Sequence, residues 1–168
     1  MQVRRLIPSD AELYRALRLQ GLRESPSSFS SSYEEEIETP IEMIAGFLVP
    51  EPSRAVFGAF GDGALVGMVG FGRETLRKTH HKGFMRSMYV TPAHRGRGAA
   101  KRLVGHALAF AASIGVRQVN LTVTAGNVAA MALYESQGFK TYGVEHGSLL
   151  VDGAFYDDIH MVRFLQKG

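Results

Sequence analysis

The sequence predicts an α/β fold with α+β layering: helices flank a mixed, mostly antiparallel twisted sheet of about six or seven strands. Three observations carry this. Gly61-Asp62-Gly63 and Asp152-Gly153 are hairpin turn signals, and hairpins join antiparallel strands. Residues 84–124 read as strand, helix, strand, a unit that needs a parallel pair. A run with an apolar period of 3.6 (Leu103, Val104, Ala107, Leu108, Ala111) sits between runs that read as strands.

The elements follow in order. Val3 to Ile7 forms a short strand. Ser9-Asp10-Ala11-Glu12 reads as a capping box that starts a helix reaching about residue 22. Pro26 and the serines Ser27–Ser32 form a loop. Thr39-Pro40-Ile41-Glu42 starts a second helix, with a Thr cap and Pro at its first position, and Pro50 ends it. Residues 55–60 and 64–73 are strands, 74–82 a polar loop, and 84–90 a strand closed by Thr91-Pro92. Gly98 to Ile114 is a helix stopped by Gly115, and Val119, Leu121 and Val123 alternate as a strand. Asn127 to Gln137 is a helix stopped by Gly138, with Phe139 placed to pack back on it, and a hairpin closes the chain.

At about 100–200 residues per domain, 168 residues with no break in composition predict one domain over 1–168. With 45% apolar and 21% charged residues, the chain has the balance of a globular protein. The absence of cysteine removes disulfides, a thiol nucleophile, thiolate zinc sites and iron–sulfur clusters, and it fits a cytoplasmic location. No apolar run approaches the roughly 18–20 residues that span a bilayer, so no membrane association is expected. Met1 to Asp10 lacks the apolar core of a signal peptide. A net charge of +3 is too mild to imply nucleic acid, but its distribution is uneven. Residues 73–102 hold nine basic side chains and one acidic, Glu74, which suits a polyphosphate ligand.

The most informative stretch is Met88-Tyr89-Val90-Thr91-Pro92-Ala93-His94-Arg95-Gly96-Arg97-Gly98-Ala99-Ala100-Lys101, where a strand ends and a helix begins on small residues. The first N–H groups of a helix lack internal partners and carry partial positive charge. Small residues let a ligand approach that backbone, and Arg95, Arg97 and Lys101 add charge, so the turn suits a pyrophosphate. A dinucleotide-binding fingerprint needs a third glycine where Lys101 stands and an acid where Arg117 and Gln118 lie. A Walker A loop fails for want of Gly-Lys-Ser/Thr. A single Arg-Gly-Arg-Gly without interleaved aromatics is a poor RNA-binding segment.

One strand downstream lies Asn127-Val128-Ala129-Ala130-Met131-Ala132-Leu133-Tyr134-Glu135-Ser136-Gln137-Gly138-Phe139. With this second motif the chain resembles the GNAT superfamily, the Gcn5-related N-acetyltransferases. The family's Gln/Arg-x-x-Gly-x-Gly/Ala signature matches Arg95, Gly98 and Ala100. Its Asn-x-x-Ala-x-x-Leu-Tyr-x-x-x-Gly-Phe signature matches Asn127, Ala130, Leu133, Tyr134, Gly138 and Phe139.

The resemblance implies acetyl-CoA, or another acyl-CoA, as cosubstrate and no metal. Its pyrophosphate would lie on Gly96–Lys101, and its pantetheine arm along the backbone of Met88, Tyr89 and Val90. The parallel strands ending at Val90 and Val123 would splay to admit it. Asn127 would contact the pantetheine or cap its helix, and one side chain can do both. Tyr134 would protonate the departing thiolate; its plainer role is a packed aromatic on the helix's inner face. Many relatives that modify protein N-termini carry a glutamate where this chain has Thr122, and a hydroxyl cannot act as the base. That departure counts against a peptide N-terminus as substrate.

Candidates on the acceptor side are Tyr33, Glu34, Glu35, His81 and Thr122, with Glu36, His80, Asp157 and Asp158 as further carboxylates and imidazoles; a charge run like 33–36 is more often a solvated helix face. The expected reaction is direct transfer of acetyl to a primary amine of a small molecule or a peptide or protein, with a homodimer compatible. The alternative is an acyl-CoA-binding sensor of the same fold.

Overall fold

The computed structural model describes residues 1–166. Seven strands form one sheet: β1 (Gln2–Arg5), β2 (Arg54–Gly61), β3 (Ala64–Arg73), β4 (Lys82–Val90), β5 (Gln118–Thr124), β6 (Lys140–Val151) and β7 (Ala154–Phe164). Their spatial order is β1-β2-β3-β4-β5-β7-β6. Every neighbouring pair is antiparallel except β4–β5, which is parallel. The mixed sheet and its parallel pair are as the turn signals and the strand–helix–strand unit predict. Both two-residue loops, Asp62-Gly63 and Asp152-Gly153, have positive φ at both positions, the backbone that matches strand twist in a tight hairpin.

Five helices cover the sheet: α1 (Ala11–Glu24), α2 (Tyr33–Glu36), α3 (Ile41–Phe47), α4 (Ala99–Ser113) and α5 (Val128–Ser136). They divide the core in two. Leu103, Val104, Ala107 and Ala111 of α4 and Tyr134 of α5 pack with Val69, Val119, Leu121 and Met161 on one face. Tyr14 and Leu17 of α1 pack with Leu6, Leu48, Val56, Met68 and Tyr89 on the other. Alternation along each strand feeds both layers: Met68 and Val69 are each fully buried, on opposite faces.

Three helix starts differ from the sequence reading. α3 begins at Ile41 with Pro40 at its N-cap position and no side-chain cap, so Thr39 does not cap it. The Ser9–Glu12 capping box does not form. Pro8–Asp10 makes a single 3₁₀ turn, and the Asp10 carboxylate accepts the Ile7 N–H at 2.9 Å and both Arg4 guanidinium nitrogens at 2.8 Å. A buried carboxylate needs charge-bearing partners more than a hydroxyl does, so Asp10 takes the position and α1 begins at Ala11. The capping box that does form is Ser32–Glu35, where Ser32 Oγ accepts the Glu35 N–H and Glu35 accepts the Ser32 N–H.

β4 and β5 make only three cross-strand pairs, Lys82↔Gln118, Gly83↔Val119 and Phe84↔Asn120. Phe71 of β3 packs closely on Gly83, where a Cβ would stand 2.3 Å from its ring. Beyond Phe84 and Asn120 the strands part. β4 carries a bulge there: Met68 pairs with Tyr89 and Gly70 with Arg86, so Ser87 and Met88 together oppose Val69. Ser87 holds a φ of 57°, unusual for a residue with a side chain.

Arg4 holds the Asp10 carboxyl below the ordinary carboxylate range. A lowered folded-state pKa gives stability above the unfolded pKa, about 3.9, that is lost as pH falls through the folded value. Asp10→Ala should therefore lower unfolding free energy at pH 7 by about 1–3 kcal/mol. The gap between wild type and variant in urea titrations should close as pH drops below about 4.

Candidate active site

The parting of β4 and β5 opens a cavity of about 640 Å³ through the middle of the sheet. Its walls are β4 from Lys82 to Met88, β5 from Asn120 to Thr124, the start and inner face of α5, and the serine-rich loop 27–31. That loop, which the sequence marks only as a loop, is tied to β5 by a 2.6 Å bond from Thr124 Oγ1 to the Ser27 carbonyl.

Tyr134 projects into the cleft from α5 and is 6% exposed. Its backbone sets this position. The Phe139 N–H bonds the Tyr134 carbonyl and the Gly138 N–H bonds the Glu135 carbonyl, a paired helix ending that brings Phe139 edge-on against the Tyr134 ring at 5.9 Å. Among the described residues its hydroxyl has no hydrogen-bond partner. Burial pushes the phenol above its usual value, so it stays protonated and able to donate. Asn127 lines the same cleft and also caps α5, its side chain accepting the Ala130 N–H at 3.2 Å.

At the end of β4 the chain turns into α4 through Gly96 and Gly98, whose φ values are 72° and 81°. A Cβ on either would meet open space, so backbone conformation rather than crowding selects glycine. The first ladder bond of α4 runs from the Arg102 N–H to the Gly98 carbonyl. The N–H groups of Ala99, Ala100 and Lys101 therefore have no acceptor among the described residues, and the exposed Arg97 and Lys101 stand beside them. The turn fits an anionic ligand.

Arg95 is committed elsewhere. It donates to Glu24 at 2.6 Å and to the Val90 carbonyl at 2.9 Å, and Glu24 also accepts the Tyr89 hydroxyl. Tyr89 thus points away from the cleft into the core under α1. Met88 lines the cleft on the β4 edge that β5 leaves unpaired.

Of the acceptor-side candidates, Thr122 lines the cleft and Tyr33, Glu34, Glu35 and His81 do not. Tyr33 stacks on Arg23 at 4.0 Å, Glu35 is used in its capping box, and Glu34 is exposed. His81 sits beyond the closed end, its carbonyl receiving the Arg117 and Gln118 N–H groups. Asp157 caps the Gly147 N–H, whereas Asp158 lines the cleft and accepts from Ser148 Oγ at 2.5 Å. Sequence reading missed Arg18, Ser87 and His160. Arg18 forms a bidentate pair with Glu36 at 2.6 Å and donates to Ser87 Oγ at 2.7 Å. Only the pairing of distant elements brings these residues to the cleft, and no local signal marks them. Among the described residues no group of three or more His, Asp or Glu side chains is placed to hold a metal, and no helix is long and apolar enough to cross a membrane.

The model of the Acetyltransferase (GNAT) family matches residues 16–139. The chain belongs to this family. It is 38% identical over 104 residues to N-alpha-acetyltransferase RimI of Mycobacterium tuberculosis, 61% of this chain and 63% of that protein. It is 31% identical over 87 residues to the putative phosphinothricin acetyltransferase YwnH of Bacillus subtilis, 52% of this chain and 51% of that protein. The chain thus spans between half and two thirds of the length of these curated relatives. Its GNAT fold superposes with a TM-score of 0.85 on YncA, a putative acetyltransferase from Salmonella typhimurium solved with its cofactor acetyl-CoA, at 17% identity over 100% of this chain and 95% of that one.

Because the Tyr134 hydroxyl has no hydrogen-bond partner among the described residues, Tyr134→Phe should change unfolding free energy by less than about 0.5 kcal/mol. Thermal unfolding measures this, and it separates the hydroxyl's chemistry from the ring's packing.

Proposed function

We propose that the protein is an acetyl-CoA-dependent N-acetyltransferase that moves acetyl directly to a primary amine of a small molecule or peptide. The observation that carries this reading is the gap between β4 and β5, which has a protonated, unpartnered phenol on its wall and open helix N–H groups at the end of β4. In this reading Gly96–Lys101 holds the pyrophosphate, with Arg97 and Lys101 supplying charge. Arg95 acts by fixing the turn against α1 rather than by presenting its own guanidinium. The backbone of Met88 and Val90 guides the pantetheine, and Asn127 fixes the start of α5 beside it.

Acetyl-CoA supplies an activated thioester. A free thiol has a pKa of about 8.5, so loss of the thiolate is eased by a nearby donor. Tyr134 holds its proton for that moment. Positioning of amine and thioester in one enclosed gap supplies the rest, since aligned reactants avoid most of the entropy of encounter.

The test is release of CoA thiol from acetyl-CoA across a panel of amines. Turnover with at least one amine is expected, and Tyr134→Phe should lower kcat by about 10²-fold or more. Tight acetyl-CoA binding with no turnover on any amine would instead indicate the sensor. Gly98→Glu should weaken acetyl-CoA binding by at least about tenfold, through strain at positive φ and a like charge near the phosphates. Unchanged affinity in calorimetry would remove the phosphate from this turn.

A further inference from the structure

Direct transfer needs a neutral amine, and a primary amine of pKa about 10.4 is mostly protonated at neutral pH. The fold places no carboxylate on the cleft face of β5, where Thr122 stands. Its neighbour across the β5–β7 pair is His160, which lines the same cavity.

His160 has defined partners. Its Nε2 lies 3.1 Å from Oε2 of Glu145 on β6, and its Nδ1 lies 3.4 Å from Thr122 Oγ1. A carboxylate only accepts, so in the neutral ring Nε2 carries the proton and Nδ1, on the side of Thr122, keeps its lone pair. Tyr142, also on β6, stands against the imidazole with ring centroids 5.9 Å apart. The ring is therefore oriented on two sides.

The position is complementary to that of Tyr134. Met161 packs in the core cluster that contains Tyr134, Leu121 and Val123, so His160 and Thr122, one residue along their strands, face the other side of the sheet. The phenol and the imidazole thus reach the gap from opposite faces.

We propose that His160, oriented by Glu145, is the general base for the acceptor amine. This rests on the acetyltransferase reading above. The acceptor ammonium gives one proton to His160 Nδ1. The neutral nitrogen then attacks the thioester carbonyl carbon, forming the C–N bond. The C–S bond breaks, and sulfur leaves with the bonding pair and takes the Tyr134 hydroxyl proton. The nitrogen loses a second proton, which restores Tyr134 through solvent, and His160 releases its own to solvent. Ammonium and thioester give amide, thiol and one proton.

His160→Gln should lower kcat by about 10²–10⁴-fold, with acetyl-CoA affinity unchanged. Added imidazole should restore part of the rate in His160→Ala. The defect should shrink with weakly basic amines, which arrive already neutral. Glu145 is a positioning residue: Glu145→Gln should lower kcat more than it changes KM. ¹⁵N NMR of the imidazole should show the proton on Nε2 in the wild type and a mixture of tautomers in Glu145→Gln. Wild-type kcat in His160→Gln overturns the proposal, as does a loss of rate that imidazole does not restore and that comes with weaker acetyl-CoA binding. A wild-type proton on Nδ1 overturns it whether or not any amine is turned over. Failure of the wild type on every amine, with the proton on Nε2, counts against the acetyltransferase reading and not against the arrangement of His160.

Discussion

The site depends on β4 and β5 staying together for three residue pairs and then separating. A parallel pair in the middle of a sheet normally continues, because each further residue pair satisfies backbone groups that otherwise lie exposed. The Ser87–Met88 bulge bends β4 where the strands part. Left-handed φ at Ser87 costs about 1–2 kcal/mol. The charge-assisted bond from Arg18 to Ser87 Oγ contributes about 1.5–3 kcal/mol, enough to offset that cost. Arg18 is itself held by Glu36, so the shape of the cleft is maintained from α1 and α2 across the sheet.

The same contacts divide the chain's positive charge into structural and available parts. Arg73 donates to the His80 and Ile114 carbonyls, Arg95 is tied to Glu24, and Arg102 reaches the Met1 carbonyl. Arg97 and Lys101 have no such commitment among the described residues, and they stand beside the open N–H groups of α4. Net charge alone conceals this, since a guanidinium satisfied by carbonyls orders the fold while an unpaired one remains for a ligand.

Elements governed by neighbours in sequence were legible without the structure. Both hairpins, α4 with its 3.6 period, and the Asn127 and Gly138 ends of α5 were read from residue type and spacing, and each formed as read. The glycine turn and Tyr134 were legible for the same reason, since their motifs are short and contiguous. The Ser9–Glu12 box was misplaced because Arg4, six residues before Asp10, competes for the local hydrogen bonds, and a guanidinium–carboxylate pair outweighs a hydroxyl cap. The family resemblance puts the helix of Tyr33, Glu34 and Glu35 on the acceptor side, and His81 is a candidate by residue type. Burial and register decide such cases, and the register places His160 rather than His81 in the gap.

Thr122 is where these lines meet. Viewed along β5 alone, it is a strand residue lacking the acid that a base requires. Viewed across the sheet, it is one of three strands' contributions to a single cluster: Thr122 from β5, His160 from β7 and Glu145 from β6. A strand offers each face of the sheet only every second residue, so β5 has few cleft-facing positions, and Thr124 is already spent on the Ser27 loop. An antiparallel neighbour presents its own side chains at the same height on the same face, which lets β7 carry a group that β5 does not. In the proposed mechanism the proton-accepting and proton-donating groups reach one gap from opposite faces, so the base meets the amine on one side and the donor meets the leaving sulfur on the other.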